Sequence, residues 1–281
     1  MASSKNFLVR KMTRAEIDLA IDLAAKEGWN PGLHDASCFF ATDPNGFFVG
    51  LLDGEPIGCI STVAYDHNFG FLGLYIVRPE FRGKGFGIQI WNHGMAYLGS
   101  RNIGLDGVVA QQNNYKKSGF KLAYRNIRYE GIANGKTFAG VTELAKIPLA
   151  DLVAYDQNFF PAQRREFLQR WIKQPEGLAL GLLQNQKLIG YGVIRACRNG
   201  FKIGPLFAEN HSDAETLFQA LTAPITGKPF YLDVPEVNPE AVALASRHNM
   251  KVVFETARMY TQAAPKLPLG KIFGVTTFEI G

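Results

Sequence analysis

The feature that most constrains this fold is an internal repeat. The segment Gly50-Leu-Leu-Asp-Gly-Glu-Pro-Ile-Gly58 recurs as Gly181-Leu-Leu-Gln-Asn-Gln-Lys-Leu-Ile-Gly190, at an offset of 131 residues. A second pair, Gly119 to Arg128 and Asn249 to Arg258, repeats at an offset of 130. The first pair reads twice as a hairpin, with an apolar strand on each side of a polar turn (Asp53-Gly54, then Gln184-Asn185). A helical pattern precedes each hairpin. Glu16 to Glu27 places Ile17, Ala20, Ile21 and Ala24 on one face, and Leu149 to Phe160 does the same with Leu152, Val153 and Phe159. Short apolar hairpins resemble one another by chance, but two matched pieces in the same order at nearly one offset favour duplication. A chain of 281 residues is long enough for two modules. The polar stretch Gly131 to Gly140 is the expected boundary, giving modules 1–135 and 136–281. Each reads strand, helix, hairpin strands, helix, strand, short helix, strand, which is an α/β arrangement on a mixed sheet.

Composition narrows the class of function. At 47% hydrophobic and 20% charged residues the chain is globular rather than disordered. The longest uncharged run, Gly85 to Ser100, holds Gln89, Asn92 and His93, so no membrane span is expected. The N-terminal ten residues lack the apolar core of a signal peptide, which predicts a cytoplasmic protein. The net charge of +5 is spread over both halves, without the basic stripe that nucleic-acid binding needs. Cys38, Cys59 and Cys197 form no close pair and the five histidines are scattered, so neither a disulfide framework nor a metal site is expected.

The most informative segment runs Gly73-Leu-Tyr-Ile-Val-Arg-Pro-Glu-Phe-Arg-Gly-Lys-Gly-Phe-Gly87. Leu74 to Val77 is a short apolar strand that Pro79 ends. Arg82-Gly-Lys-Gly-Phe-Gly87 is a glycine-dense turn with two cations, and Ile88, Trp91, Met95 and Leu98 then mark one face of a helix. Strand, glycine turn and helix together grip phosphate. Residues without a Cβ let several N–H groups converge, and a helix N-terminus adds about half a positive charge. The third glycine comes one residue too early for a dinucleotide fingerprint, and Lys84 is followed by Gly85 rather than the Ser or Thr of a P-loop.

What fits is Arg-x-x-Gly-x-Gly, as Arg82, Gly85 and Gly87. Here the chain resembles the GNAT superfamily of N-acetyltransferases, whose motif of that form binds the pyrophosphate of acetyl-coenzyme A. Tyr115-Lys-Lys-Ser-Gly119-Phe120 is similar to the late Tyr-x-x-x-Gly-Phe segment of that family. The resemblance implies two GNAT-like modules, each a mixed, mostly antiparallel sheet flanked by helices. It also implies a coenzyme site formed by Ile76, Val77, Arg82, Gly83, Lys84, Gly85, Phe86 and Gly87 and a catalytic Tyr115. The family tyrosine often protonates the departing thiolate, and a phenol of reference pKa about 10 can donate to a thiolate of about 8.5. Packing with a hydrogen-bonded hydroxyl is the other reading of Tyr115.

The second half lacks the cradle. At the corresponding place stands Ile203-Gly-Pro-Leu-Phe-Ala-Glu-Asn-His-Ser-Asp-Ala-Glu215, without a glycine cluster and with three carboxylates. Ser212 or Asp213 is expected to cap a helix from Ala214 to Ala220. This half is expected to bind no coenzyme and to wall the acceptor pocket. The implied reaction is acetyl transfer to a primary amine, expected to belong to a small molecule, by direct attack without metal. A backbone N–H from Leu74 to Val77 would polarise the thioester carbonyl. Asp66-His67, Asp233 and Glu255 are candidates for the base, each with a structural alternative such as an ion pair to Arg258. A transferase for aminoacyl or long acyl groups and a non-catalytic coenzyme A-binding sensor or assembly module remain as alternatives. No nucleic-acid or membrane partner is expected, and a homo-oligomer is allowed.

Overall fold

The structure, a computed structural model, describes residues 6–281. The first half runs β1 (Phe7–Lys11), α1 (Arg14–Lys26), α2 (Asp35–Thr42), β2 (Phe47–Leu52), β3 (Glu55–Ala64), β4 (Phe69–Val77), α3 (Phe86–Leu98), β5 (Asn102–Val108), α4 (Gln112–Lys117) and β6 (Lys121–Ile132). The second repeats the order as β7 (Val141–Glu143), α5 (Leu149–Asp156), α6 (Arg165–Trp171), β8 (Gly177–Gln184), β9 (Lys187–Ala196), β10 (Phe201–Ala208), α7 (His211–Thr222), β11 (Pro229–Pro235), α8 (Pro239–Arg247), β12 (Lys251–Tyr260) and β13 (Ile272–Gly274). Both repeated hairpins form, the first with its turn at Asp53-Gly54 as read and the second with its turn one residue later than read, at Asn185-Gln186, because Gln184 still pairs with Lys187; all four turn residues have positive φ. The second helical pattern stops at Asp156, short of Phe160.

The thirteen strands of the described residues join one mixed, mostly antiparallel sheet, in the order β1-β2-β3-β4-β5-β12-β6-β11-β10-β9-β8-β7, with β13 beside β10. The halves exchange strands at its centre. β12 of the second half lies antiparallel between β5 and β6, from Thr256 opposite Val108 to Tyr260 opposite Gly104 on one side. In return, β6 of the first half pairs with β11, from Ile132 opposite Pro229 to Asn126 opposite Pro235. Each module is therefore completed by a strand of the other, β12 in the first and β6 in the second. No local pattern reveals this, because both strands read as ordinary amphipathic β segments.

One core spans both halves. Ile17, Phe39, Phe47 and Leu74 pack in the same cluster as Leu152, Phe167, Trp171 and Phe207. Phe39 of α2 stacks on Trp171 of α6 at 6.2 Å between ring centroids. Arg195 of β9, buried under the Trp171 ring at 4.4 Å, pairs with the equally buried Asp35 of α2 at 2.8 Å. No helix among the described residues is long and apolar enough to cross a membrane.

Candidate active site

β4 and β5 run parallel but pair only from Phe69 opposite Asn102 to Leu72 opposite Leu105. Beyond that point they diverge, and the gap between Gly73–Val77 and Asp106–Val108 opens into a cavity of about 440 Å3. A bulge marks the β4 side. Two residues of β4, Leu74 and Tyr75, stand against the single Ile60 of β3, and Leu74 takes the unusual φ of +46°. A bulge takes backbone groups out of the ladder, here on the wall of the cavity.

The cradle forms the cavity mouth. Gly83 and Gly85 have φ of +72° and +82°, and a Cβ on either would meet no protein atom within 4 Å. The space beside them is thus open to a ligand, and their conformation favours glycine. Gly85 is the N-cap of α3 and supplies no side-chain acceptor, so the first-turn N–H groups of α3 are left for an anion. Ile76, Val77, Arg82, Gly83, Gly85 and Gly87 all line the cavity. Arg82 Nε donates to the Val77 carbonyl at 2.7 Å, and its guanidinium also pairs with Glu27 at the end of α1. A bound pyrophosphate would compete with Glu27 for that cation.

Two members of the expected set point elsewhere. The Lys84 ammonium donates to the Glu80 carbonyl at 2.7 Å, and the Phe86 ring packs on Phe7 at 4.8 Å. The buried face of α3 is Ile90, Trp91, Gly94 and Leu98, whereas Ile88 is exposed at the cavity rim. The helix starts at Phe86, which places Ile88 in the first turn beside the mouth rather than over the sheet.

Tyr115 lines the same cavity from α4. Its ring stacks on Trp91 at 5.8 Å and lies against Gly107, where a Cβ would overlap it. Burial, helped by the nearby Tyr75 phenol, pushes the Tyr115 hydroxyl up to about 12, so it stays protonated at neutral pH. The short α4 suffices to bring it to the splayed strands.

The second half closes both features that are open in the first. β10 and β11 also diverge, after Ile203 opposite Leu232, but β13 fills that gap, with Leu206 opposite Gly274 and Val275 N donating to the Asp233 carbonyl at 2.9 Å. The helix after β10 is capped not by Ser212 or Asp213 but by Asn210, whose side chain accepts from both of their N–H groups at 3.0 Å. The second half thus has a capped helix end beside a filled gap where the first has an uncapped one beside an open gap.

Asp66, Asp233 and Glu255 have structural partners, while His67 is exposed in the β3–β4 turn. Asp66 closes the β3–β4 turn, accepting from Asn68 N and Phe69 N at 2.7 Å. Asp233 is buried against Arg128, at 2.6 and 2.8 Å. Burial pushes its carboxyl up, but the Arg128 guanidinium outweighs that and holds it below its usual range. Glu255 pairs with Arg125, not Arg258. Arg258 instead holds Asp106, a buried cavity residue whose oxygens also accept from Asn126. Sequence reading missed Trp29, Asp106, Phe254, Thr256, Phe278 and Glu279, all lining the cavity. Glu279 alone left a trace, as the one charge in the run Ile272 to Gly281.

Comparison with known proteins agrees with this geometry. Residues 15–120 match the acetyltransferase (GNAT) family, and residues 152–274 match an acetyltransferase (GNAT) domain. The chain belongs to the GNAT acyltransferases, as a tandem protein with two GNAT domains. It is 29% identical over 269 residues to holothin acyltransferase of Pseudoalteromonas sp. (strain SANK 73390), covering 95% of this chain and 92% of that one. The crystal structure of a Pyrococcus horikoshii protein assigned to the acetyltransferases has the same fold, with a TM-score of 0.84 at 22% identity over 98% of this chain and 96% of that one. A tandem GNAT protein from the clavulanic acid biosynthesis pathway aligns with a TM-score of 0.63 at 12% identity, over 94% of this chain and all of the other.

Proposed function

We propose that this protein transfers an acetyl group from acetyl-coenzyme A to a primary amine of a small molecule, by direct attack in the first-half cavity. The observation that supports it best is that a glycine cradle, an uncapped helix N-terminus and a protonated tyrosine all line one gap between splayed strands. The coenzyme pyrophosphate would sit on Gly83, Gly85 and the α3 first turn, with its thioester reaching between β4 and β5. The modules 1–135 and 136–281 would act as one unit, the second completing the wall opposite the cradle.

The amine enters attack with its lone pair free, the C–N bond forms as the C–S bond breaks, and the thiolate takes the Tyr115 proton. The proton lost from nitrogen restores the phenol, so the products are an amide and free coenzyme thiol. Burial makes this donation uphill, against a thiol reference of about 8.5, and the proton returned from the nitrogen draws it forward. The size of the cavity and the likeness to a holothin acyltransferase support a small-molecule acceptor. The test is thiol release from acetyl-coenzyme A across a panel of primary amines. Release that depends on both substrates is expected. Coenzyme binding without release for any amine would favour a non-catalytic binding module.

A further inference from the structure

Glu27 and Arg82 pair at the mouth of the cavity, and both line it. Arg82 has a second anchor there. Its Nε donates to the Val77 carbonyl at 2.7 Å, which holds the guanidinium beside the glycine turn without help from Glu27. The ion pair instead occupies one of the remaining N–H donors, which are the groups a phosphate would use.

Glu27 does little for the fold. It is the C-cap of α1, at the end of the helix where the macrodipole disfavours a carboxylate. With the Glu27 and Arg82 side chains 26% and 48% exposed, the pair adds little to stability. The second half supplies a comparison within the same chain. At the repeat offset of 130 residues Glu27 corresponds to Gln157, which is the C-cap of α5. The two positions match in backbone as well, Glu27 N donating to the Leu23 carbonyl and Gln157 N to the Val153 carbonyl, each at 3.1 Å. The turn that carries Arg82 has no counterpart there. Arg78 to Lys84 separate β4 from the Gly85 cap, whereas Glu209 alone separates β10 from the Asn210 cap. Carboxylate and arginine are thus present together in one half and absent together in the other.

We propose that Glu27 is an internal competitor for the phosphate-binding Arg82. The coenzyme pyrophosphate displaces it on entry, and it recaptures the arginine as free coenzyme leaves. The pyrophosphate is the same in acetyl-coenzyme A and in the free coenzyme, so its contacts hold substrate and product alike and lower no chemical barrier. Weakening them shortens the stay of the product and leaves the transfer step untouched. The inference rests on the proposed function for the identity of the anion, but the competition itself needs only a phosphate ligand at the cradle.

The test titrates acetyl-coenzyme A, free coenzyme A and inorganic pyrophosphate into the full chain and into Glu27→Gln, which copies the second half. Each should bind Glu27→Gln about fivefold more tightly, the upper range for releasing a solvent-accessible ion pair. Free coenzyme A should dissociate correspondingly more slowly. Two further variants separate competition for Arg82 from a general effect of charge. Asp22→Asn removes the same charge from the same helix, at a residue that pairs with Arg198 and does not line the cavity, and should change affinity by less than about twofold. In Arg82→Gln, adding Glu27→Gln should also gain less than about twofold, because the contested group is gone. The proposal is overturned if Glu27→Gln alone gains less than about twofold, or if its gain is matched in Asp22→Asn or in the Arg82→Gln background. Pyrophosphate that binds more tightly to Glu27→Gln, with no binding of either coenzyme form, would uphold the competition and refute the coenzyme reading. No binding of any of the three to any of these proteins would overturn both.

Discussion

Gly85→Val separates the two jobs of the cradle glycine, holding the turn and admitting a ligand. At φ of +82° an L-residue pays a conformational penalty of about 1–2 kcal/mol. For a protein of this size each kcal/mol lowers the melting temperature by about 2–4 °C, so a fall of about 2–8 °C is expected without ligand. No protein atom lies within 4 Å of the new Cβ, so packing adds nothing. The larger effect falls on the coenzyme. If the side chain keeps the pyrophosphate from two first-turn N–H groups, each charge-assisted bond worth about 1.5–3 kcal/mol, the loss is about 3–6 kcal/mol. At 1.4 kcal/mol per decade, affinity for acetyl-coenzyme A should drop by about 10²–10⁴. The control is Gly54→Val, in the β2–β3 turn, where φ is +85° and the surroundings are equally open. It should lose similar stability and no affinity. Calorimetric titration and thermal melts of the three proteins decide the matter. Unchanged affinity in Gly85→Val, or an equal loss in Gly54→Val, would refute the reasoning.

Three further outcomes are expected. Tyr115→Phe keeps the ring on Trp91 and removes the proton, so turnover with the best amine should fall by about 10²–10⁴ while coenzyme affinity holds; equal turnover would leave water as the proton donor. Arg195→Leu strands the buried Asp35 carboxylate between the halves and should cost about 3–5 kcal/mol in urea unfolding, with a loss under 1 kcal/mol counting against the pair. The hydrogen-bonded Arg10 guanidinium holds the Glu16 carboxyl down to about 2 from 4.5. A carboxyl lowered on folding stabilises above its unfolded pKa and loses that contribution as pH falls through the folded one. The stability gap between the unsubstituted protein and Glu16→Gln should therefore be present at pH 6 and shrink between pH 4.5 and about 2; a constant gap would contradict it.

The parts of this molecule that were legible in the sequence are those fixed by neighbours in the chain. The repeated hairpins, the cradle from Arg82 to Gly87 and the strand–turn–helix around it depend on turn chemistry and periodicity, which are local. Even there, the direction of Lys84 and Phe86 was not legible, because the turn fixes backbone shape and leaves side chains to their surroundings. The Asn210 cap was within reach, since Asn precedes the helical pattern, but Ser212 and Asp213 competed for the role. The exchange of β6 and β12 was beyond reach, since both strands have the same alternation whichever half they join. The same holds for Thr256, Phe278 and Glu279, which line the cavity only because β12 and the C-terminal segment cross into the first half. The ion pairs follow suit. Asp233 finds Arg128 and Asp106 finds Arg258 across more than 100 residues of chain.

The stoichiometry of acetyl-coenzyme A binding is the most direct test of the asymmetry between the two modules. In the first half the splay of β4 and β5 is open and the α3 N-terminus uncapped, whereas in the second β13 fills the gap and Asn210 caps the helix. Titration of the intact chain by calorimetry should give one site per chain, lost together with the cradle in Gly85→Val. Two sites per chain, or a single site that Gly85→Val leaves unchanged, would contradict it.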